Sequence, residues 1–323
     1  MYNDEYDMLF CHVPKTGGTV INAIFNASFS TGFTEAENKC AIGLTKHSTI
    51  IEYQQILSEK KFKSTYKITS IRNPYDRFIS YYLNHIVFKN KNLLKIDSLD
   101  ERLSRETFNK WVCKDYLNIV ESKERQSPGM LKKINSNIFH HYAVNNEGLI
   151  DFNFILDFDN LNRDMYAMLC NYCKRRSEMS GSFDSHKLFY KIIQISQVDI
   201  NNNNSSDSPK YREYPLIDIE NRSFNISKYF LKMLESSKSS SSSNIDKAKI
   251  LALKQQRNKK TTYFDSDSLE IFEKYNKHDI RLYEEFKTFK CLQMNDDIKF
   301  FDDFKVIQHE DKYELRRSTR GLK

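Results

Sequence analysis

The chain has 323 residues, 39% of them apolar, which suffices for one large domain with a real core. Its formal net charge of +7 is concentrated at the end, where Lys312, Arg316, Arg317, Arg320 and Lys323 stand against Glu314, so the body is only mildly basic and no nucleic acid partner is expected. Six cysteines over this length make no disulfide scaffold, and Cys170 and Cys173 lie in an apolar run without a second pair, so no metal is expected.

Met8 to Val13 is a short apolar run ended by Pro14, the pattern of a buried parallel strand followed by a turn. Val20, Ile21, Ile24 and Phe25 then recur at helical spacing, so the first unit reads strand, glycine loop, helix. Tyr66 to Ile71 is a second strand. The helix after it has an explicit start, with Asn73 as N-cap, Pro74 at the first position and Asp76 near the positive end. Phe152 to Phe158 is a third strand, leading into a helix around Arg163 to Lys174. Strands alternating with helices predict an α/β domain with a mainly parallel central sheet flanked by helices.

Two low-complexity stretches, near 201–210 and 236–244, are too polar to bury a core and read as disordered insertions, with helical runs between and after them. Leu269, Phe272, Tyr275, Leu282, Tyr283 and Phe286 mark the clearest late helix. The expected division is one domain over 1–298 and a basic tail over 299–323. No early segment is apolar enough for a signal peptide or membrane anchor, which predicts a soluble intracellular or cytoplasmic protein, lumenal only if the chain is a truncated form.

Pro14 to Thr19 sets a lysine, two glycines and two threonines between a buried strand and a helix start. Anions bind at such places, because loop and first-turn amides point outward and glycine admits close approach. Lys15 offers a full charge, and Thr16 and Thr19 offer hydroxyls; Gly17 and Gly18 supply the close backbone. The lysine precedes the glycines, opposite to the order in the common nucleotide-kinase loop.

Arg72 to Ser80 lies at the end of the second strand and in its helix. Capping explains Asn73, Pro74 and Asp76 but requires neither Arg72 before the cap nor Ser80 two turns along. Arg77 either orients this motif through Asp76 or points to water.

In these two segments the sequence resembles the carbohydrate-type sulfotransferases that use 3′-phosphoadenosine-5′-phosphosulfate. Pro14-Lys-Thr-Gly-Gly-Thr19 is similar to that family's loop for the 5′-phosphosulfate, and Arg72-Asn-Pro-Tyr-Asp-Arg-Phe-Ile-Ser80 to its 3′-phosphate motif, in the same order. Weaker echoes occur at Phe154 to Leu161 and at Tyr275 to Phe286, with Asp159 where the family more often has glutamate. The resemblance implies a P-loop-like three-layer fold and sulfuryl transfer to a hydroxyl-bearing acceptor, a glycan in first place.

It further implies that Lys15 acts on the leaving oxygen, that Lys15, Thr16, Gly17, Gly18 and Thr19 hold the 5′-phosphate, and that Arg72 and Ser80 recognise the 3′-phosphate. His47, before the second strand, is the favoured base, with His140, His141 and Glu52 as competitors and His12 packed beside the site. Lys259 and Lys260 could close over the donor or form a solvated charge pair.

Two other readings stand beside this one. A P-loop small-molecule kinase would share the strand, loop and helix and would need magnesium, for which Asp157 or Asp159 could be proposed. A non-catalytic binder of acidic glycan or nucleic acid would depend on the basic tail instead.

Overall fold

The computed structural model describes residues 1–28, 47–89, 94–122, 136–179, 217–218, 223–224, 259–297, 304–309 and 312–317. Its centre is a four-stranded sheet in the order β1 (Tyr2–Asn3), β2 (Met8–Cys11), β3 (Tyr66–Ile71), β4 (Phe154–Asp157). β2 and β3 run parallel, as do β3 and β4, while the short β1 pairs antiparallel at the edge. All residues of β2 and β3 are buried, the pattern of strands covered on both faces.

Strand alternation shows what covers each face. Met8 and Phe10, with Ile68 and Leu156, pack against α1 (Gly18–Ser28) and the helix Leu161–Met179. Leu9, Cys11, Ile71 and Ile155 point the other way, against α2 (Ile50–Ile56), α3 (Glu59–Ser64), the helix Ile138–Ala143 and Leu282, Tyr283 and Phe286 of the helix Ser266–Asp297. The domain is therefore three layers deep. Each large apolar side chain buried in this way stabilises it by roughly 1.5–3 kcal/mol.

Cys170 and Cys173 lie buried on one face of their helix, as their spacing predicts. The helix around Arg163 to Lys174 extends in both directions, to Leu161 and Met179. The insertions near 201–210 and 236–244 lie outside the described residues. Between them, where helical runs are expected, the described residues form a small antiparallel pair, Ile217–Asp218 with Ser223–Phe224. Within the basic tail over 299–323, Phe304–His309 and Lys312–Arg317 pair as an antiparallel hairpin. No helix among the described residues is long and apolar enough to cross a membrane.

α4 (Pro74–Tyr81) starts as its sequence dictates: the Asn73 side chain accepts the Tyr75 amide at 3.0 Å, and Pro74 needs no acceptor. It continues as a π-helical stretch, Tyr82–Lys89. Phe78 anchors it, with ring centroids 4.8, 4.9 and 5.5 Å from those of Tyr116, Phe272 and Trp111. This fastens the helix after Arg72 to the C-terminal part of the chain.

Candidate functional site

Because β2 and β3 are parallel neighbours, the loops leaving their carboxyl ends emerge side by side. Ligands of open α/β sheets bind at this edge. The first loop carries Lys15 to Gly17 into α1; the second carries Arg72 to Asn73 into α4.

In the first loop Lys15 has φ +70° and Gly17 φ +87°, and both glycines are sterically required. A Cβ on Gly17 would lie 2.8 Å from the Phe158 ring, and one on Gly18 would fall 1.9 Å from the His12 ring. A lysine held in the left-handed region costs free energy that a glycine would avoid. The first helical donations of α1 are from Val20 and Ile21 to the Gly17 oxygen at 2.9 and 3.1 Å, which leaves the Gly18 and Thr19 amides without a helical acceptor. Thr19 is exposed. Thr16 is buried and turned inward: its hydroxyl donates to Val13 O at 2.8 Å and stands 2.6 Å from the Ser70 hydroxyl. The Thr16 hydroxyl is therefore engaged inside the protein and does not face outward as an anion donor.

Arg72 is buried, and its Nη1 donates to the Lys15 oxygen at 3.2 Å. The guanidinium lies over the Phe158 ring, with Cζ 4.2 Å from the ring centroid. Among the described residues Nε has no hydrogen-bond partner. Burial pushes the guanidinium below its ordinary pKa, with Asp76 and Asp159 partly offsetting this, yet arginine starts high enough to stay charged. A buried cation with an unused donor can accept an anion, and it also ties the two loops together through its bond to Lys15. Ser80 is buried on α4 and, among the described residues, forms no hydrogen bond to Arg72 or to the loop.

His47 is half-buried at the margin of the loop. Its Nδ1 is 3.4 Å from the His12 oxygen, and its ring contacts the His12 ring at 4.6 Å. His12 is packed between Phe10, His47 and Gly18. His140 and His141 are exposed on the helix Ile138–Ala143, where His140 contacts His278. Glu52 is engaged locally, accepting the Thr49 amide at 2.6 Å while Thr49 accepts the Glu52 amide, which closes a capping box at α2. The spacing Thr49-x-x-Glu52 carried that signal in the sequence.

Arg77 departs from both of its expected roles. It is buried, and the charge that most sustains it is Asp279 on the helix Ser266–Asp297, not Asp76 or water. Lys260 donates to Glu273 at 2.9 Å and lies 4.2 Å from the centre of the Tyr75 ring, so it fixes α4 to the C-terminal helix. Asp157, one candidate for magnesium, is fully buried and accepts Lys287 Nζ at 2.6 Å. Asp159 accepts the Tyr283 hydroxyl at 3.0 Å. Both acidic groups thus already have cationic or hydroxyl partners, and no cluster of three potential metal ligands occurs among the described residues.

These features define a mixed α/β protein in which two loops, carrying Lys15 and Arg72, meet at the carboxyl edge of the sheet. Residues 1–206, well over half of the chain, match the Sulfotransferase family. The chain belongs to that family and is a transferase that moves sulfuryl groups. No curated protein and no solved structure matches it.

The contact of Phe158 with Arg72 and the pairing of Lys287 with Asp157 were not legible in the sequence. Phe158 lies inside an apolar strand signal, and Lys287 is 130 positions from the aspartate it pairs with.

Proposed function

We propose that this protein transfers the sulfuryl group of 3′-phosphoadenosine-5′-phosphosulfate to a hydroxyl, in first place one on a carbohydrate, using a P-loop-like arrangement of strand, loop and helix. The supporting observation is the buried Arg72 guanidinium at the edge where two loops meet, bonded to the Lys15 oxygen and with no partner for Nε among the described residues.

In this reading the backbone of Thr16 to Thr19 and the Lys15 ammonium hold the 5′-phosphosulfate, and Lys15 neutralises charge as the sulfur–oxygen bond to the phosphate breaks. The acceptor oxygen forms the new bond to sulfur, and its proton passes to His47. Arg72, with Ser80 further along α4, takes the 3′-phosphate and so separates this donor from ATP. The product left behind is adenosine 3′,5′-bisphosphate. No metal is invoked, because Lys15, Arg72 and the helix end supply the positive charge.

The test is incubation with the donor and a panel of glycans, following the mass of a sulfuryl group on the acceptor together with release of adenosine 3′,5′-bisphosphate. Transfer that Lys15→Ala lowers by about 10²-fold or more supports the reading. Equal transfer by wild type and Lys15→Ala contradicts it.

A further inference from the structure

One aromatic side chain touches both anion grips. Phe158 lies under the Arg72 guanidinium, 4.2 Å from Cζ to its centroid, and also abuts Gly17, where an added Cβ would meet its ring at 2.8 Å. Its position is set from behind. It opens the three-residue turn Phe158–Asn160, whose preceding residue Asp157 accepts the Asp159 amide at 3.1 Å and the Asn160 side chain at 2.8 Å. Asp157 is fully buried, and its charge is met by Lys287 at 2.6 Å. Tyr283, one turn earlier on the same helix, donates to Asp159 at 3.0 Å. Both partners lie beyond the residues that match the family.

We propose that Phe158 is a positioning residue that sets the Arg72 guanidinium for the 3′-phosphate, and that Lys287, through Asp157, holds Phe158 in place. The inference rests on the donor reading above and adds the C-terminal helix to the donor site. A ring 4.2 Å from Cζ limits how far the guanidinium can move, and a two-pronged phosphate contact requires a fixed guanidinium. The turn that presents the ring depends on a buried carboxylate, and a buried carboxylate without its cation would draw water or a proton and move.

The test measures the affinities for adenosine 3′,5′-bisphosphate and for AMP by calorimetry, with the unfolding midpoint as control. Phe158→Leu keeps the packing against Gly17 but removes the ring beneath Arg72. It is expected to lower the preference for the 3′-phosphorylated nucleotide by roughly fivefold or more, with AMP affinity nearly unchanged. Lys287→Met should show the same loss, and Lys287→Arg should restore the preference. If wild type prefers the 3′-phosphorylated nucleotide and Phe158→Leu keeps the full preference, the positioning role is wrong although the donor reading stands. If wild type shows no preference, the donor reading itself fails. A folded Phe158→Leu that weakens both nucleotides equally also overturns the proposal, and this variant decides the matter even if Lys287→Met does not fold.

Discussion

Arg72 Nη1 donates a 3.2 Å hydrogen bond to the main-chain oxygen of Lys15, across 57 positions of sequence. The bond exists because β2 and β3 are adjacent and parallel, so their loops leave the sheet at one edge. It brings a buried guanidinium to the backbone of a left-handed lysine, in the loop that leads into the first turn of α1.

A cation kept for a ligand should contribute little to the ligand-free fold. Arg72→Met retains much of the side chain's volume and its contact with Phe158 while removing a buried charge. Its unfolding free energy in urea, without nucleotide, is expected to stay within about 1 kcal/mol of wild type or to rise. A loss of about 3 kcal/mol or more would show Arg72 to be a structural residue instead.

Gly18 is required because the His12 ring fills the space beside its Cα. Gly18→Ala should destabilise the protein by about 1–3 kcal/mol, since the ring must move against Phe10 and His47. The double variant His12→Ala with Gly18→Ala should be less destabilised than the sum of the two single changes, because removing the ring removes the clash. Thermal unfolding of the three variants measures this directly, and strict additivity would contradict it.

Two helices cap each other behind the site. The Asn137 side chain accepts the amides of His278 and Asp279, and Asp279 accepts those of Phe139 and His140. The long helix needs this help because its backbone is non-helical at Asn276. Asn137 itself has φ +57°. Asn137→Ala therefore loses both a cap and a residue tolerant of the left-handed region, at an expected cost of about 1–3 kcal/mol. Asn137→Gly should recover part of that, because glycine keeps the backbone conformation. Equal loss in the two variants would leave the backbone argument without support.

Glu273 is held below its ordinary pKa by hydrogen bonds from Tyr75 and Lys260. The folded chain therefore favours the ionised form more than the unfolded chain does. The pair's contribution is present above the unfolded pKa and is lost as pH falls through the lower folded value. Both side chains are more than a third exposed, so the effect is small. In denaturant titrations Glu273→Gln should be slightly less stable than wild type near neutrality and equal to it below the usual carboxylate range. A difference that grows on acidification would reverse the sign and refute the assignment.

Local chemistry was legible in the sequence and remote pairing was not. Pro14 and the glycines fixed the loop, and Asn73 and Pro74 fixed the start of α4, because caps and turns depend on neighbours a few residues away. Arg77 shows the limit: an arginine beside an aspartate reads as a surface residue, and only the fold brings it to Asp279. Lys287 and Asp157 likewise meet through tertiary packing, for which neither position carries a periodic signal. Thr16 was read as a hydroxyl donor to an anion, but its spacing could not reveal that Val13 O lies within reach of that hydroxyl.

The central claim is that two loops grip the two ends of one doubly phosphorylated adenosine, and calorimetric titration of adenosine 3′,5′-bisphosphate and of AMP into wild type, Lys15→Ala and Arg72→Ala tests it most directly. The account expects Lys15→Ala to weaken both nucleotides and Arg72→Ala to weaken only the 3′-phosphorylated one, by about tenfold or more. Equal binding of the two nucleotides by wild type, or an equal loss of both in Arg72→Ala, would contradict it.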